Sequence, residues 1–303
     1  MKIRIWLAAV VLLAVICNGP MYAGAAKVQA GEEFWRIDTE NEASLPRNFR
    51  TSDDAFQTGE GFLPSRQGLA ELHASGSAQF SRLEFEVLQA KLPAPLVIVD
   101  LRQESHGLLN GIAVSWYGAR DWANVGKSMQ EVLQDEKIHL TEAQDSIVSI
   151  APLNKVKRAD CKRDLFVLSA LSEEEFVKER GVGYFRLTVT DHLRPDDVAV
   201  ELFLAFYKNL PPGTALHFHC QAGHGRTTTF MAMYDMLKNA KQVSFNDILA
   251  RQQLLGGANL LQESSQEAWK IKASQERLQF LQEFYAYAAQ SPTESWTAWS
   301  KQR

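Results

Sequence analysis

Residues 217–230 read HFHCQAGHGRTTTF, and this stretch decides how the chain is interpreted. It places Cys220 six positions before Arg226, with two glycines between them and three threonines from position 227. The apolar residues at 215–219 predict a short strand, and residues 226–237 predict an amphipathic helix. Because the start of a helix presents unpaired backbone N–H groups, a strand, a glycine-containing loop and a helix in this order predict an anion-binding loop.

Cys220 and Arg226 are expected to perform complementary tasks in such a loop. A thiol held at a helix N-terminus is favoured as the thiolate, which is the nucleophilic form. The planar guanidinium of Arg226 can bind two phosphate oxygens at once. The pair therefore predicts attack by Cys220 on phosphorus, formation of a phosphocysteine and hydrolysis of that intermediate by water, with no metal or cofactor required.

The residues around this pair are expected to shape the loop. Gly223 and Gly225 are expected to adopt positive φ and let the backbone wrap around the anion. The Thr227 hydroxyl is expected to stabilise the thiolate, and His219 to fix the loop from behind. Backbone N–H groups between the cysteine and the arginine would cradle the phosphate; they belong to Gln221, Ala222, Gly223, His224 and Gly225.

Length and charge limit the classes of function. The chain has 303 residues, 46% of them hydrophobic, which fits one large globular domain with a smaller appended unit. Its formal net charge of −4 becomes −7 if residues 1–30 are removed, because they carry three basic residues and no acid. A net-negative protein is not expected to bind nucleic acid, and a polyanionic small molecule would need a local basic pocket.

The N-terminal segment, residues 1–30, has the organisation of a secretory signal peptide. A basic start precedes an apolar run from Ile5 to Cys17, and small residues follow. The protein is therefore expected to be secreted or periplasmic. No other long apolar run occurs, so no stable membrane association is expected. Two cysteines remain, which do not make a disulfide scaffold, and Cys161 is expected to be a free structural cysteine.

Alternating strand and helix patterns predict an α/β fold with a mainly parallel central sheet. Apolar runs typical of buried parallel strands occupy residues 93–102, 183–191 and 215–219. Helical patterns occupy residues 80–88, 173–179, 197–210, 226–237 and 275–289.

Residues 118–167 do not follow this alternation. Short strand-like runs and scattered charges predict a small β-rich subdomain there, with residues 33–45 as a possible partner strand. The main domain is expected to span residues 31–290. Residues 291–303 are expected to form a polar C-terminal tail that contains two tryptophans and docks in part on the domain.

The motif at 219–227 matches the HC-x5-R-[ST] pattern of the cysteine-dependent phosphatases. Its longer form, HCQAGHGRTTTFMAMYDML, resembles the loop and helix of the protein-tyrosine-phosphatase-like inositol phosphatases, the bacterial cysteine phytases. The resemblance covers most of residues 45–285 and implies a phosphotyrosine-phosphatase-like α/β/α core with a small barrel-like subdomain. It also implies metal-free, stepwise hydrolysis of myo-inositol hexakisphosphate. Further matching stretches are NFRTS (48–52), residues 99–127, TDHLRP (190–195) and AWKIK (268–272).

The resemblance implies roles for individual residues beyond the loop. Asp191 would be the general acid, with His192 beside it contacting the substrate. Asp121 would contact the inositol ring or its phosphates. Basic side chains would bind the remaining phosphates; they are Arg50, Lys157, Lys270, Lys272 and Arg277.

This sequence departs from the family pattern at three places near the predicted site. Ser274 and Arg277 stand where family members place a tyrosine and a lysine just beyond AWKIK, and Arg277 keeps the positive charge. His224 stands where a small apolar residue is usual, and it would add a titratable donor beside the bound phosphate. Arg194 replaces a tryptophan in the acid loop, which would weaken loop closure or add a phosphate contact.

Three alternatives stay open. Asp196, directly after the loop proline, is where tyrosine-specific phosphatases place the acid, and Lys155 competes with Lys157. For the function, a protein tyrosine phosphatase acting on phosphoproteins is the alternative, because the loop serves both reactions. The basic residues around the loop favour inositol polyphosphates.

Overall fold

The protein is described by a computed structural model that covers residues 33–57, 63–262 and 265–302. The signal peptide predicted at residues 1–30 lies outside the described residues. Among the residues covered, no helix is both long enough and apolar enough to cross a membrane.

Strands and helices alternate along much of the chain. The strands of the described ranges are β1 (Phe34–Thr39), β2 (Arg50–Thr51), β3 (Ala74–Ser77), β4 (Leu96–Asp100), β5 (His106–Leu109), β6 (Ile112–Tyr117), β7 (Ile147–Ala151), β8 (Arg163–Phe166), β9 (Ala170–Leu171), β10 (Gly183–Arg186) and β11 (Ala215–His219). The α-helices are α1 (Arg82–Lys91), α2 (Met129–Ala143), α3 (Glu173–Glu179), α4 (Asp197–Lys208), α5 (Gly225–Asn239), α6 (Phe245–Leu254), α7 (Ala268–Gln290) and α8 (Trp296–Ser300).

The central sheet has the strand order β10-β4-β11-β3-β2. Its first four strands are parallel, and β2 pairs antiparallel with β3. β11 is buried along its whole length, and Phe218 lies beside Val99 on one side and Gly76 on the other. The predicted α/β fold with a mainly parallel sheet is confirmed, and it places the carboxyl end of β11 between those of β3 and β4.

One predicted strand is shorter in the structure. The pattern at 183–191 predicted a continuous strand, but β10 ends at Arg186. The apolar residues Leu187 and Val189 are still buried, and the Leu187 N–H still donates to the Asp100 carbonyl of β4 at 2.8 Å. The chain leaves the sheet here and forms the loop that carries Asp191.

The main core packs around α5, which contacts α6, α7 and β3. Phe218, Phe230 and Phe284 are fully buried in this core. The C-terminal residues are part of it, because α8 lies in the segment predicted to be a polar tail. Trp296 is 1% exposed, packs against Phe284 and donates a hydrogen bond from Nε1 to Asp197 at 3.0 Å.

The second sheet has the order β8-β7-β1-β6-β5-β9 and is mostly antiparallel, with β1 and β7 parallel. It draws strands from a wider stretch than the predicted residues 118–167 and 33–45, because the β5–β6 hairpin spans residues 106–117. The predicted β-rich stretch also contains the 15-residue helix α2. The division of the chain into domains stays a prediction.

We expect Trp296→Ala to destabilise the protein, because it removes a fully buried indole that packs against α7. The expected loss in free energy of unfolding is about 3–5 kcal/mol, measured by urea denaturation. Val198→Ala, at a side chain of α4 that is 63% exposed, is the control and should change it by less than about 0.5 kcal/mol. A loss no larger than that of the control would contradict the docked position of α8.

Candidate active site

Cys220 follows β11 directly and is 3% exposed. The chain then turns through residues 221–224 and enters α5 at Gly225. The Thr227 hydroxyl donates a hydrogen bond to the Cys220 sulfur at 3.2 Å, as predicted from their spacing. Thus the cysteine lies at the N-terminal end of a 15-residue helix, where backbone N–H groups and the helix dipole favour an anion.

The two loop glycines have different roles. Gly223 has a φ of 74°, and a Cβ there would lie 2.4 Å from the backbone nitrogen of Ala78, so only glycine fits. The prediction of a positive φ at Gly225 was wrong, because Gly225 is not one of the glycines with positive φ among the described residues. A Cβ at Gly225 would meet Arg277 Nη1 at 3.6 Å, which is ordinary contact.

Arg226 is buried and held by carboxylates on two sides. Its Nη1 and Nη2 donate to Glu104 at 2.6 and 2.8 Å, and Nη2 lies 3.0 Å from Asp191 Oδ1. Burial alone would raise the pKa of Glu104, but attraction to Arg226 and Arg102 holds this pKa well below its usual range. Sequence reasoning missed Glu104, which aims the guanidinium of Arg226 and keeps it charged.

The loop that carries Asp191 is fixed at several points. Trp122 Nε1 donates to the Asp191 carbonyl at 3.1 Å, and Thr190 donates to Gln103 at 2.9 Å. His192 has a φ of 67°, and its Nε2 lies 3.3 Å from Asp191 Oδ2. These contacts place the Asp191 carboxylate beside Arg226 at the mouth of the loop.

The alternative acid, Asp196, has a structural position. Its Oδ1 accepts a hydrogen bond from the Ala199 backbone at 2.7 Å, which caps the start of α4. Arg194 in the same loop lies over the Phe280 ring at 5.6 Å and donates to the Pro195 carbonyl at 2.7 Å. Neither residue lines the cleft, so the geometry favours Asp191 as the acid.

A cleft of about 1530 Å³ opens above Cys220. Its walls come from the catalytic loop, the Asp191 loop, β1, the segment after β7 and the start of α7. The basic residues of its lining are Arg36, Arg47, Arg120, Lys157, Arg158, Lys162, His192, His224, Lys270 and Arg277, and the acidic ones are Asp38, Asp121, Asp191 and Glu267. Sequence reasoning found His192, His224, Lys157, Lys270 and Arg277 but missed the other basic residues of the lining.

Two predicted phosphate ligands lie elsewhere. Arg50 is 2% exposed and donates to the Gly223 carbonyl at 2.8 Å and to the Thr228 hydroxyl at 3.1 Å, so it supports the loop from behind. Burial lowers its pKa to about 10. Lys272 has a largely exposed side chain that lies 3.8 Å from Glu276 and does not line the cleft. The prediction that these two residues bind substrate is not supported by their positions.

His219, predicted as a catalytic residue, also lies behind the loop. It is fully buried, and its Nε2 lies 2.8 Å from Glu173 Oε1. Its ring packs against Phe80 at 5.2 Å. These contacts agree with the expectation that it fixes the loop, and they keep it away from the cleft.

The cleft-lining residues Lys157, Lys270 and Arg277 come from two parts of the chain, the turn after β7 and the helix α7. Lys157 has a φ of 60° in the turn between β7 and β8, whereas Lys155 lies outside the lining. Lys270 is in the first turn of α7 and pairs with Glu267 at 2.6 Å. Arg277 lies two turns further along the helix and donates to the His192 carbonyl at 3.4 Å.

His224 is held by the side chain of Asn48, which lies just before β2. The Asn48 side-chain nitrogen lies 2.8 Å from the Ala222 carbonyl and 2.9 Å from His224 Nε2. Because an amide nitrogen only donates, Nε2 must accept, which requires a neutral imidazole. Burial, together with the charges of Arg50 and Arg47, lowers the pKa of His224 and favours this form.

Asp100, His106 and Glu173 form a buried cluster with the spacing of metal ligands. Arg186 Nε pairs with Asp100 at 3.1 Å, and Tyr184 donates to the same carboxylate at 2.7 Å. Burial alone would lower the pKa of His106, but the charge of Asp100 raises this pKa to about 9, which favours the imidazolium. Both carboxylates are already paired, Asp100 with Arg186 and Glu173 with His219 at 2.8 Å, so this cluster is better described as an ion-pair network beneath the loop.

Comparison with known proteins identifies this arrangement. A solved PTP-like phytase from Bdellovibrio bacteriovorus is 35% identical, with a TM-score of 0.71, over 89% of this chain and 95% of that one. The chain belongs to the PTP-like phytase family. The family model with the description "Inositol hexakisphosphate" matches residues 99–238, so the predicted family and fold are confirmed.

Two longer relatives extend the comparison. The PTP-like myo-inositol phosphatase from Mitsuokella multacida, solved with myo-inositol-(1,3,4,5)-tetrakisphosphate, is 40% identical with a TM-score of 0.82 over 88% of this chain. Effector protein hopD2 of Pseudomonas syringae pv. tomato is 34% identical over 83% of this chain. The chain spans only 49% and 56% of these two proteins.

We expect Gly223→Ala to abolish binding of inorganic phosphate, measured by isothermal titration calorimetry. The new methyl group would overlap the Ser77–Ala78 backbone in addition to the roughly 1–2 kcal/mol cost of positive φ. Gly213→Ala is the matched control, because Gly213 has a φ of 77° but open space around its Cβ. It should lose some stability and keep phosphate binding. Equal phosphate affinity in both variants would contradict the loop geometry.

Proposed function

We propose that this PTP-like phytase is a phosphoric monoester hydrolase that removes phosphates stepwise from myo-inositol hexakisphosphate through a phosphocysteine. The observation that carries this proposal is that Cys220 and Asp191 line a cleft with many basic side chains, while the buried Arg226 lies 3.0 Å from Asp191. The bound inositol tetrakisphosphate of the Mitsuokella relative supports the same substrate class.

The first half of the reaction would begin with phosphate binding at the loop. The N–H groups at the start of α5 and the Arg226 fork would hold the equatorial oxygens, while the Cys220 thiolate attacks phosphorus in line. A phosphate dianion at this position separates Asp191 from the positive charge of Arg226. The protonated Asp191 would then donate its proton to the leaving inositol oxygen.

The second half would use the same groups in reverse. Asp191, now a carboxylate, would take a proton from water as the water attacks the phosphocysteine. The sulfur leaves as a thiolate, which the Thr227 hydroxyl stabilises through its hydrogen bond at 3.2 Å. Inorganic phosphate then leaves the loop, and no metal takes part in this scheme.

The charge distribution supports a polyphosphorylated substrate over a phosphopeptide. The basic residues lie on several walls of the cleft, so they can meet phosphates that point in different directions from one ring. A tyrosine phosphatase would need a deep slot that stacks one aromatic ring. The rings of Trp269 and His192 make an edge-to-face contact in the cleft lining, with centroids 5.2 Å apart. This aromatic pair is the feature that favours a phosphotyrosine peptide as the alternative substrate.

We also propose that the protein acts outside the cytoplasm. The support is the predicted signal peptide at residues 1–30. An exported enzyme with this cleft would release phosphate from inositol phosphates in its surroundings. The relative named as an effector protein makes an effector role the alternative.

The test of the substrate is phosphate release in the presence of a chelator. Inositol hexakisphosphate would be compared with a phosphotyrosine peptide, with Cys220→Ser as the control. We expect strong release from the inositol phosphate that is lost in the variant. Release mainly from the peptide would assign the protein to the tyrosine phosphatases.

Asp191→Asn should lower kcat on inositol hexakisphosphate by roughly 10²–10⁴-fold, since the amide can neither donate nor accept the proton. Asp196→Asn is the matched variant, and it should keep kcat because asparagine caps a helix as well as aspartate does. Steady-state kinetics on both variants provide the check. A large loss in Asp196→Asn alone would move the acid to that residue.

Lys157→Ala should raise KM for inositol hexakisphosphate roughly 5- to 10-fold, the equivalent of about 1–1.4 kcal/mol, because it removes a cation from the cleft wall. Lys155→Ala removes the same charge two residues away, outside the lining, and should leave KM nearly unchanged. Equal effects of the two substitutions would mean that only net charge matters.

A further inference from the structure

Arg36 connects the second sheet to the active site. It lies on β1, is 3% exposed and lines the cleft. Its Nη1 donates to both carboxylate oxygens of Asp121, at 2.7 and 2.9 Å, and its Nε donates to Asp38 at 2.7 Å. Asp121 itself lies in a one-turn 3-10 helix with a φ of 63°, so its position depends on such contacts.

Asp38 continues this chain of contacts to the nucleophile loop. It accepts hydrogen bonds from Arg102 at 2.8 Å and from Ser115 at 3.2 Å. It also accepts one from the side chain of Gln221, the residue after Cys220, at 3.3 Å. Two side chains of β1 therefore contact the cleft: Asp38 contacts the Cys220 loop, and Arg36 contacts the Asp121 carboxylate.

This inference rests on the proposed function. We propose that Arg36 is a positioning residue for the reaction: it fixes Asp121 in the cleft wall and sets the charge that this carboxyl presents to the phosphates of the substrate. A carboxylate in a site for a polyanion repels the phosphates, whereas a protonated carboxyl can donate a hydrogen bond to one.

The groups around Asp121 come from four elements. Arg36 faces it from β1, Tyr117 from β6, Glu104 from the segment after β4 and Asp191 from its own loop. Burial raises the pKa of Asp121, Arg36 lowers it, and the negative charges of Glu104 and Asp191 raise it again, to about 6.

The sign of the pH dependence follows from these contacts. Below about pH 6, Asp121 is neutral and its hydroxyl can donate to a phosphate oxygen. As the pH rises through this value the carboxylate forms and repels phosphate, so substrate affinity falls. Without Arg36, the carboxylate would form only at higher pH, and the fall in affinity would move with it.

The first experiment measures Asp121 directly and does not depend on turnover. Carbon-13 NMR of aspartate-labelled protein would follow the carboxyl titrations, with the Asp121 signal assigned by its absence in Asp121→Asn. We expect Arg36→Met to raise the titration midpoint of Asp121 by roughly 1–3 pH units, because one adjacent opposite charge is lost. Arg36→Lys should restore most of the wild-type midpoint.

Arg47→Met is the matched control. Arg47 also lines the cleft, but it is not among the largest influences on the pKa of Asp121. It should weaken substrate binding and leave the titration of Asp121 in place. An unchanged midpoint in Arg36→Met, or the same shift in Arg47→Met, would overturn the proposal.

The second experiment measures binding of inositol hexakisphosphate to the Cys220→Ser protein across pH by calorimetry. The fall in affinity should move to higher pH in Arg36→Met and disappear in both Asp121→Asn and the Arg36→Met/Asp121→Asn double variant. Titration of the substrate itself is common to all four proteins. A fall that persists unchanged in Asp121→Asn would overturn the proposal.

The two proposals fail separately. If the Cys220→Ser protein binds with the expected pH dependence while the wild type releases no phosphate, the role of Arg36 stands and the proposed reaction is wrong. If phosphate is released but Asp121 titrates at the same pH in Arg36→Met, the reaction stands and the role of Arg36 is wrong.

Discussion

The buried ion pair between Arg226 and Glu104 is the constraint on which the rest of the site depends. A guanidinium without solvent is costly unless its charge is met by well-placed acceptors. Glu104 supplies two of them, and the Val189 carbonyl supplies a third at 3.0 Å. With the fork held in this way, Arg226 Nε has no hydrogen-bond partner among the described residues, and the proposed mechanism uses this edge to bind phosphate beside Cys220. The loop geometry, the position of Asp191 and the depth of the cleft all depend on the fixed Arg226 guanidinium.

The same pairing of charges continues beneath and beside the loop. Arg102 joins Asp38 to Glu104, with Nη1 at 2.8 Å from Asp38 and Nε at 3.5 Å from Glu104. Asp38 in turn joins Arg36 of the second sheet to this network. The two sheets are thus connected through side chains whose charges balance one another in the interior. The consequence for function is that a net-negative protein presents a basic cleft on a rigid, internally neutralised support.

Local patterns were enough to predict the centre of the site but not its surroundings. The strand, the positive φ at Gly223 and the helix after it follow from residues 215–237 alone, because periodicity and glycine geometry are short-range properties. Glu104 was missed because it is 122 residues from Arg226 and no local pattern announces a buried carboxylate. Arg50 was predicted to bind a substrate phosphate but is buried against the loop, since a motif gives a position in the chain and not the direction of a side chain. The tail at 291–303 was expected to dock in part, but its helix α8 was missed because its tryptophans stand among polar residues.

The most direct measurement is the mass of the covalent intermediate. Wild-type protein mixed with inositol hexakisphosphate would be quenched in acid within one turnover, digested and analysed by mass spectrometry. The account predicts one added phosphoryl group on the peptide that contains Cys220, accumulating further in Asp191→Asn if hydrolysis of the intermediate becomes the slower step. Steady release of phosphate with no adduct on Cys220 in either protein, or with the adduct on another residue, would contradict it.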